Sequence, residues 1–326
     1  MVKLLRPANG EVVTLHTQRQ KYFREHHREM AVNASIDWLH LVHTGEKDNS
    51  FPAPVVFTWE GDDDAAVKLS LYEDMRNAVS IPGENGTCQV QNLYIGTTYW
   101  WQAGGSEIRS FVTEETTPRR IFAEGATNIR DAGGWKTLDG RKIRQGLLFR
   151  GSEFGPHVSL TENGRRTLRE ELGIRTDLDL RGEAVGEISE SPLGPDVQFC
   201  LLPANAYEYF IADPMNMKEI FRVLADPAKY PIYYHCWGGA DRTGTYGYLL
   251  GAILGMSDED LALDYELTSL SVWGCRSQDG EGFRAVLEGL SSYGETAKER
   301  AEGFLLEHGV TKETIESIRA ILLENR

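Results

Sequence analysis

The sequence is poor in cysteine, and its few cysteines are widely separated. Cys88, Cys200, Cys236 and Cys275 are the four cysteines among 326 residues. No two of them have the spacing of zinc ligands, so we expect no metal site and predict no cofactor. A chain of this length buries enough apolar surface to fold without disulfides. A disulfide framework is therefore not needed to explain these cysteines.

Positive charge is scarce, and long apolar runs are missing. Lys and Arg number 34 against 49 Asp and Glu, which gives a formal net charge of −15. This balance opposes binding to nucleic acid or to an anionic membrane, so an anionic ligand needs a local cationic cluster. No apolar run approaches the roughly 18 to 20 residues that cross a bilayer, and MVKLLRPANG is not a secretory signal. We expect a cytoplasmic protein without membrane insertion, although an export signal removed before residue 1 would allow another location.

The first third of the chain has the pattern of an all-β domain. Apolar and polar residues alternate in VKLSLYE and TTYWWQA, and GDDD, PGENG and AGGS supply turn residues between such runs. This pattern predicts an antiparallel β-sandwich over residues 1–115. With Trp59 as a buried tryptophan and LYIGTTYWWQA as a late strand, it resembles an immunoglobulin/fibronectin type III-like domain. Residues 17–50 do not fit this pattern, because QRQKYFREHHREM is helical or irregular in character.

A charged, proline-containing stretch at 116–120 is expected to be a linker, and the pattern changes after it. Residues 121–326 alternate strands and helices: LTENGRRTLREELG predicts a capped helix, IRTDLDLR a buried strand and MKEIFRVLAD a second helix. PIYYHC predicts another strand and TGTYGYLLGAILG the helix that follows it. The second domain should therefore be an α/β sandwich around a mainly parallel sheet.

The segment HCWGGADRTG, residues 235–244, lies between a predicted strand and a predicted helix. Cys236 at the mouth of a helix, close to Arg242 and His235, should ionise more readily than a free thiol and act as a nucleophile. His235 is equally explained as a core residue that supports the loop. Arg242 can bind two phosphate oxygens at once and follow them into the transition state.

The residues between the cysteine and the arginine are expected to form the phosphate-binding loop. Five residues allow the backbone to curl so that its amides point at one centre. Gly238 and Gly239 permit unusual dihedrals and close approach. The Thr243 hydroxyl is a candidate to stabilise the sulfur anion or to cap the helix. The expected substrate-binding residues are Trp237, Gly238, Gly239, Ala240, Thr243 and Gly244, although Trp237 is equally explained as packing beneath the pocket.

This loop and its flanking segments resemble the bacterial tyrosine phosphatases whose loop reads HCxxGKDRTG, a branch of the cysteine-dependent phosphatases. The similarity covers nearly all of 121–326, including NIRDAGGW, GLLFRGSEF, LGIRTDLDLRGEAVGE, MSDEDLALDYELTS and HGVTKETIESIRAIL. The resemblance implies hydrolysis of phosphate monoesters through a phosphocysteine intermediate, with Cys236 as nucleophile and Arg242 as phosphate clamp. It further implies a phosphorylated protein or a small phosphate monoester as partner; the sequence leaves the oligomeric state unknown.

The residue that protonates the leaving group has three candidates. The resemblance favours Asp241, directly before the arginine. Asp213 in IADPMN lies on a predicted loop that resembles the acid loops of other tyrosine phosphatases, and Asp179 ends a predicted strand. Asp179 is more easily explained as an orienting carboxylate. Arg130 and Asp131 are expected either to frame the pocket or to form a buried ion pair at the first turn.

One departure from the family pattern concerns the substrate. The family position before the aspartate is usually lysine, but here it is Ala240. Loss of this cation favours phosphotyrosine-like aryl esters over phosphoinositides. A phosphoinositide phosphatase, a phosphate- or phosphoprotein-binding module without turnover, and a sulfur-transfer or arsenate-reducing enzyme remain alternative interpretations.

Overall fold

The computed structural model describes residues 2–32, 48–182 and 188–325. The chain forms two compact units, the first made of Met1–Gln18 and Pro52–Ile121 and the second of Arg19–Phe51 and Phe122–Arg326. The chain passes between units after Gln18, after Phe51 and after Ile121. Residues 116–120, expected as a linker, belong to the first unit, and Arg119 and Arg120 are each 4% exposed.

The placement of residues 19–51 differs from the expected domain boundaries. This segment was expected in the front domain, but it belongs to the second unit. It contains all but the first residue of helix α1 (Gln18–Val32), whose Phe23 is 2% exposed within the core of the second unit. Gln20 donates from Nε2 to the carbonyls of Asn49 and Phe51 at 2.7 and 2.6 Å. Apolar burial and these hydrogen bonds explain why the segment leaves the β-rich unit.

The first unit contains two sheets. Its strands are β1 (Lys3–Arg6), β2 (Glu11–Val13), β3 (Val55–Glu60), β4 (Val67–Ser70), β5 (Val79–Ile81), β6 (Thr87–Val90), β7 (Thr98–Ala103) and β8 (Arg109–Thr113). One sheet has the order β1-β3-β6 and the other β2-β8-β7-β4-β5. Neighbouring strands are antiparallel except for the β2–β8 pair.

Alternating side chains from both sheets form one apolar core. In β3, Phe57 and Trp59 are buried between exposed or half-buried neighbours, as the two-residue period of a strand requires. In β7, Tyr99 and Trp101 are buried on the same face. These residues belong to a single cluster shared by the two sheets. The fibronectin type III-like identity of this unit remains a prediction.

The second unit has a mixed α/β architecture, which confirms the expected class. Its strands are β9 (Arg130–Asp131), β10 (Leu148–Gly151), β11 (Thr176–Asp179), β12 (Gln198–Leu201) and β13 (Ile232–His235). Besides α1, its described helices are α2 (Glu162–Arg166), α3 (Tyr207–Ala212), α4 (Met217–Leu224), α5 (Asp241–Leu254), α6 (Asp258–Glu266), α7 (Glu281–Leu290), α8 (Ala297–Glu307) and α9 (Lys312–Leu322). None of the helices in the described ranges has the length and apolar character needed to cross a membrane.

The sheet of the second unit brings three strand ends together. Its order is β12-β11-β13-β10-β9, with four parallel strands and an antiparallel β9 at one edge. Gly151 of β10 and Asp179 of β11 both lie opposite His235, the last residue of β13. Since the carboxyl ends of parallel strands share one edge, the loops that follow these strands converge there. One of these loops is the segment between β13 and α5.

Helix α5 is buried on nearly all sides and lies close to its neighbours. A β-carbon at Gly244 would lie 2.9 Å from the Tyr265 ring, and one at Gly247 would lie 2.5 Å from Nη1 of Arg150. Such distances are too short for a methyl group, so the glycines permit this packing. The amino terminus of α5 is thereby held at the edge where the strand ends meet.

We predict that truncation of the central strand destabilises the second unit. Ile232 is fully buried in β13, and Ile232→Ala should cost about 2–5 kcal/mol because it leaves a cavity in a close-packed core. Hydrogen exchange of the β13 amides measures this free energy. The control Leu138→Ala removes a side chain that is 78% exposed and should change the free energy by less than about 0.5 kcal/mol. Equal protection in both variants would contradict this description of the core.

Candidate active site

The loop from Cys236 to Asp241 turns its carbonyl groups away from its centre. The Trp237 carbonyl accepts from the Glu153 amide at 2.8 Å. The Gly238 carbonyl accepts from Nδ2 of Asn128 at 2.9 Å, and the Gly239 carbonyl from Nη2 of Arg150 at 3.0 Å. The amides of residues 237–241 find no acceptor in the described part of the chain. Amides arranged in this way, at the start of a helix, are suited to an anion.

Two glycines make this loop conformation possible. Gly239 has a φ of +66°, and a β-carbon there would lie 2.2 Å from the carbonyl oxygen of Gly151. A β-carbon on Gly238 would lie 2.7 Å from the Trp273 ring. Only glycine fits at residue 239 without a movement of the backbone, because a β-carbon there would meet the main chain of Gly151 and not a flexible side chain. Gly239 thus has both the unusual dihedral and the close backbone contact, whereas Gly238 makes room for the Trp273 side chain; their role in phosphate binding stays a prediction.

Cys236 is 3% exposed and follows a buried, charged histidine. His235 contacts Oδ1 of Asp177 through Nε2 at 2.9 Å and the carbonyl of Cys236 through Nδ1 at 3.0 Å. Burial opposes the charged imidazole, but the carboxylates of Asp177 and Asp179 outweigh it and raise the pKa of His235 to about 9. His235 is thus a cation at neutral pH, and both of its nitrogens donate hydrogen bonds. It supports the loop and also places positive charge beside Cys236.

A chain of buried charges continues from this histidine. Asp179 accepts three hydrogen bonds from the Arg181 guanidinium, at 2.6–2.9 Å. Arg181 also donates from Nη1 to Oε2 of Glu153 at 2.6 Å. All three side chains are at most 1% exposed, so each charge depends on its neighbour for compensation. These linked charges connect the loops that follow β10, β11 and β13.

Arg242 and Thr243 occupy the first turn of α5. Arg242 donates from Nη1 to the Leu180 carbonyl at 3.3 Å, and its Cζ lies 5.6 Å from the centre of the Trp237 ring. The Thr243 hydroxyl is fully buried and has no hydrogen-bond partner in the described residues. It makes no hydrogen bond to the Cys236 sulfur either. It therefore does not cap the helix. The carbonyl of buried Ala240 accepts from the Gly244 amide at 2.7 Å and begins the helical pattern.

Asp241, a predicted proton donor, is ion-paired. Arg276 donates to both of its oxygens, at 2.7 and 3.1 Å, and Tyr207 donates its hydroxyl to one of them. Burial would raise the pKa of Asp241, but Arg276, Tyr207 and Arg242 outweigh this effect and lower it. The carboxyl is therefore ionised in this structure, although general-acid catalysis needs its protonated form.

The other candidate acids have different surroundings. Asp213 ends α3 on an exposed segment, and Asn205 donates to its carbonyl at 3.0 Å. Asp179 is buried within the charge chain, where burial opposes ionisation but His235 and Arg181 lower its pKa. Its contacts are those of an orienting carboxylate.

Arg130 and Asp131 form β9, and Arg130 makes a buried ion pair, with Asp264. Arg130 donates from Nε to Oδ1 of Asp264 at 2.8 Å and from Nη1 to Oδ1 of Asn128 at 2.8 Å. Asn128 in turn contacts the loop carbonyl of Gly238, so Arg130 acts on the loop through it. Asp131 accepts from the amides of Gly133 and Gly146 at 2.8 and 2.6 Å and fixes the first turn.

Aromatic side chains surround the loop. The Trp237 side chain is 39% exposed, and the His157 ring lies 5.0 Å from it and 6.4 Å from the Trp273 ring. Nδ1 of His157 contacts Oε1 of Glu153 at 2.7 Å, which fixes the ring. We call Trp237, His157 and Trp273 the aromatic rim. Trp237 directly follows Cys236, so these rings lie next to the start of the loop.

Several site residues were not predicted from the sequence: Asn128, Arg150, Glu153, His157, Asp177, Arg181, Tyr207, Asp264, Trp273 and Arg276. Some of them lie in the segments FRGSEF and TDLDLR, where charged residues end predicted buried strands. That combination is a signal, because a charge buried in a sheet needs a partner. Arg276 and Tyr207 have no comparable signal. Residues 183–187 of the quoted GEAVGE segment lie outside the described residues.

Comparisons with known proteins concern the second unit. A family model described as tyrosine phosphatase family matches residues 121–324. A Cupriavidus necator protein provisionally named a tyrosine-protein phosphatase is 28% identical over 165 residues, covering 43% of this chain and 59% of that protein. The core catalytic domain of a PP-IP phosphatase from S. cerevisiae, solved with citrate, matches at 16% identity and a TM-score of 0.28, covering 40% of this chain and 77% of that one. A TM-score of this size carries no weight for fold or activity.

We predict that Asp177 keeps His235 charged. Asp177→Asn should lower the pKa of His235 below its wild-type value of about 9, because one of the two carboxylates that offset the effect of burial is then lost. Titration of the His235 ring by NMR measures the change. The control Asp196→Asn removes a carboxylate whose side chain is 85% exposed and should leave the His235 titration unchanged. An unchanged titration in Asp177→Asn would contradict the assigned pairing.

Proposed function

The chain belongs to the tyrosine phosphatase family, as the sequence predicted, and from this we propose that it hydrolyses phosphate monoesters through a phosphocysteine intermediate. The observation that supports the proposal is the hydrogen-bond geometry of the loop 236–241. Its carbonyl groups accept hydrogen bonds from residues outside the loop, and its amides have no acceptor in the described residues. Cys236 lies at the start of the loop, beside a charged histidine. This arrangement suits a phosphate group held next to a sulfur nucleophile.

The proposed reaction has two displacements at phosphorus. In the first, the Cys236 sulfur forms a bond to phosphorus, the ester P–O bond breaks, and the leaving oxygen takes a proton from a carboxylic acid. In the second, water attacks phosphorus, the P–S bond breaks, and the carboxylate removes a proton from the water. Arg242 and the loop amides stabilise the charge on the equatorial oxygens. The buried Thr243 hydroxyl is suited to the departing sulfur, since it has no partner in the described residues.

We propose Asp241 as the carboxylic acid of both steps. It adjoins Arg242 and is 41% exposed, so it can meet a substrate oxygen and exchange protons with solvent. Asp213 is the rival, because it is exposed on the segment after α3. Asp179 is fully enclosed by Arg181 and His235 and is proposed to orient the site.

For the substrate class we propose phosphotyrosine-like aryl phosphates, on a protein or a small molecule. The aromatic rim offers its rings to a flat leaving group, and such ring pairs stabilise a complex by about 0.5–1.5 kcal/mol. With Ala240 between Gly239 and Asp241, the loop itself offers Arg242 as its side-chain clamp. A substrate with several phosphate groups is bound less strongly by this site than by a site with more cationic side chains.

We predict that Cys236→Ser abolishes turnover but keeps ligand binding. Serine is a far weaker nucleophile, so hydrolysis of p-nitrophenyl phosphate should fall by on the order of a thousand-fold or more. Tungstate should still bind in calorimetry, because the amides and Arg242 remain. The matched control Cys200→Ser changes a half-buried thiol of β12 and should keep wild-type turnover. Wild-type turnover in Cys236→Ser would overturn the proposed mechanism.

We also predict that Trp237 recognises the leaving group. Trp237→Ala should raise KM for phosphotyrosine peptides by about two- to tenfold, with little change for glycerol phosphate, which has no ring. Trp100→Ala in β7 is the control for loss of an indole elsewhere and should change neither KM. Faster phosphate release from a phosphoinositide than from phosphotyrosine peptides would refute the proposed substrate class.

A further inference from the structure

The carboxylate of Asp241 accepts three hydrogen bonds from neighbouring side chains, while the side chain remains 41% exposed. Arg276 binds it through two parallel contacts, Nε to Oδ1 at 2.7 Å and Nη2 to Oδ2 at 3.1 Å. This bidentate form is the strongest geometry of an arginine–carboxylate pair. Tyr207 donates a further hydrogen bond to Oδ1. Three donors on two oxygens leave the carboxyl in its ionised form.

Arg276 is itself held in place. Its Nη1 donates to the carbonyls of Trp273 and Cys275 at 3.2 and 3.0 Å, so its remaining donors face Asp241. Its backbone amide donates to Oγ of Ser269 at 2.8 Å, and the side chain is 23% exposed. An arginine fixed at both ends loses little conformational freedom when it binds a carboxylate. This pair is therefore a built part of the site rather than a surface contact.

Tyr207 is placed for the same contact at a conformational cost. Its φ is +57°, a left-handed value that an aromatic residue rarely adopts. Burial raises the pKa of Tyr207 above its ordinary value, with smaller contributions from Tyr265 and Asp241, so the hydroxyl keeps its proton. That proton goes to Asp241. The Tyr265 hydroxyl, 2.6 Å from that of Tyr207, must then donate to the Tyr207 oxygen.

The groups that face Asp241 act almost entirely in one direction. Burial alone favours the neutral acid. Arg276, the Tyr207 hydroxyl and neighbouring Arg242 favour the carboxylate and prevail. Tyr265 lies one hydrogen bond further away and carries no charge at neutral pH, since burial raises its pKa to about 12. Arg276 provides two of the three hydrogen bonds that the Asp241 carboxylate accepts from the described residues, and a full positive charge.

We propose that Arg276 is a positioning residue that holds the proton donor Asp241 ionised and thereby sets the pH above which turnover declines. The inference rests on the proposed function, with Asp241 as general acid. In the first displacement the proton of Asp241 moves to the leaving oxygen as the P–O bond breaks. Above the pH at which Asp241 loses this proton, esters with poor leaving groups lack their donor. Arg276 places that pH lower than a solvent-exposed aspartate would.

The test is the alkaline limb of kcat/KM for phenyl phosphate, a substrate with a poor leaving group. Arg276→Met removes the charge and both hydrogen bonds, so the midpoint of the limb should rise by about one to three pH units. At a pH above both midpoints, kcat/KM of the variant should exceed that of the wild type by about tenfold for each pH unit between them. The displacement of the limb should be smaller with p-nitrophenyl phosphate, whose leaving group hardly needs a proton. Arg276→Lys keeps the charge and should keep part of the wild-type limb.

Two controls separate this role from a structural one. Arg222→Met removes an arginine whose side chain is 63% exposed and pairs with Glu219, and it should leave the limb unchanged. Asp241→Asn should lack the limb, and adding Arg276→Met to it should move nothing further. Where Arg276→Met does not fold, Tyr207→Phe removes one donor and should move the limb in the same direction by a smaller amount.

The outcomes distinguish the inference from the proposed function. A limb that stays in place or moves to lower pH in a folded Arg276→Met protein overturns the inference. A displacement that persists with Asp241→Asn also overturns it, because Arg276 then acts on another group. Absence of hydrolysis of both aryl phosphates by the wild-type chain overturns the proposed function and the inference together. If the wild-type chain hydrolyses these esters, Cys236→Ser abolishes the hydrolysis and the limb does not move in Arg276→Met, the inference is overturned and the proposed function stands.

Discussion

The ion pairs of His235 with Asp177 and Asp179 determine how the rest of the site is built. The register of the parallel sheet places these side chains at strand ends, and burial makes each charge depend on an opposite one. Arg181 compensates Asp179 on its other side, and Glu153 compensates Arg181. The result is a positive imidazole directly before Cys236. A cation at this place favours a bound phosphate anion.

The loop also depends on residues outside the phosphatase segment that the family model matches. The side-chain Nδ2 of Asn128 donates to the Gly238 carbonyl, and the backbone amide of Asn128 donates to Oγ of Ser50 at 3.0 Å. Ser50 is fixed in turn by Asp48, which accepts from the Ser50 hydroxyl at 2.6 Å. Residues 48–50 follow α1 in sequence and lie within the second unit. The segment that did not fit the front domain therefore supports the loop.

Sequence reasoning succeeded where the determining interactions are local. The strand, glycine-rich loop and helix of 235–244 follow from apolar runs and from glycines at positions that admit no side chain, such as Gly239. It failed where partners are distant in the chain. Arg276 is 35 residues from Asp241, and no periodicity relates the two, so the ion pair that fixes the charge of Asp241 was not foreseen. The grouping of residues 19–51 with the second unit was missed for the same reason, since the sequence of α1 does not say which core receives Phe23.

The central claim is that the Cys236 sulfur forms a covalent bond to phosphorus during turnover. Rapid acid quench of the wild-type chain with an aryl phosphate, followed by mass spectrometry of its peptides, measures this bond directly. We expect a phosphoryl group on the peptide that contains Cys236, formed and lost at rates that support steady-state turnover. A phosphoryl group on another residue, or hydrolysis with no covalent phosphoprotein at any quench time, would contradict it.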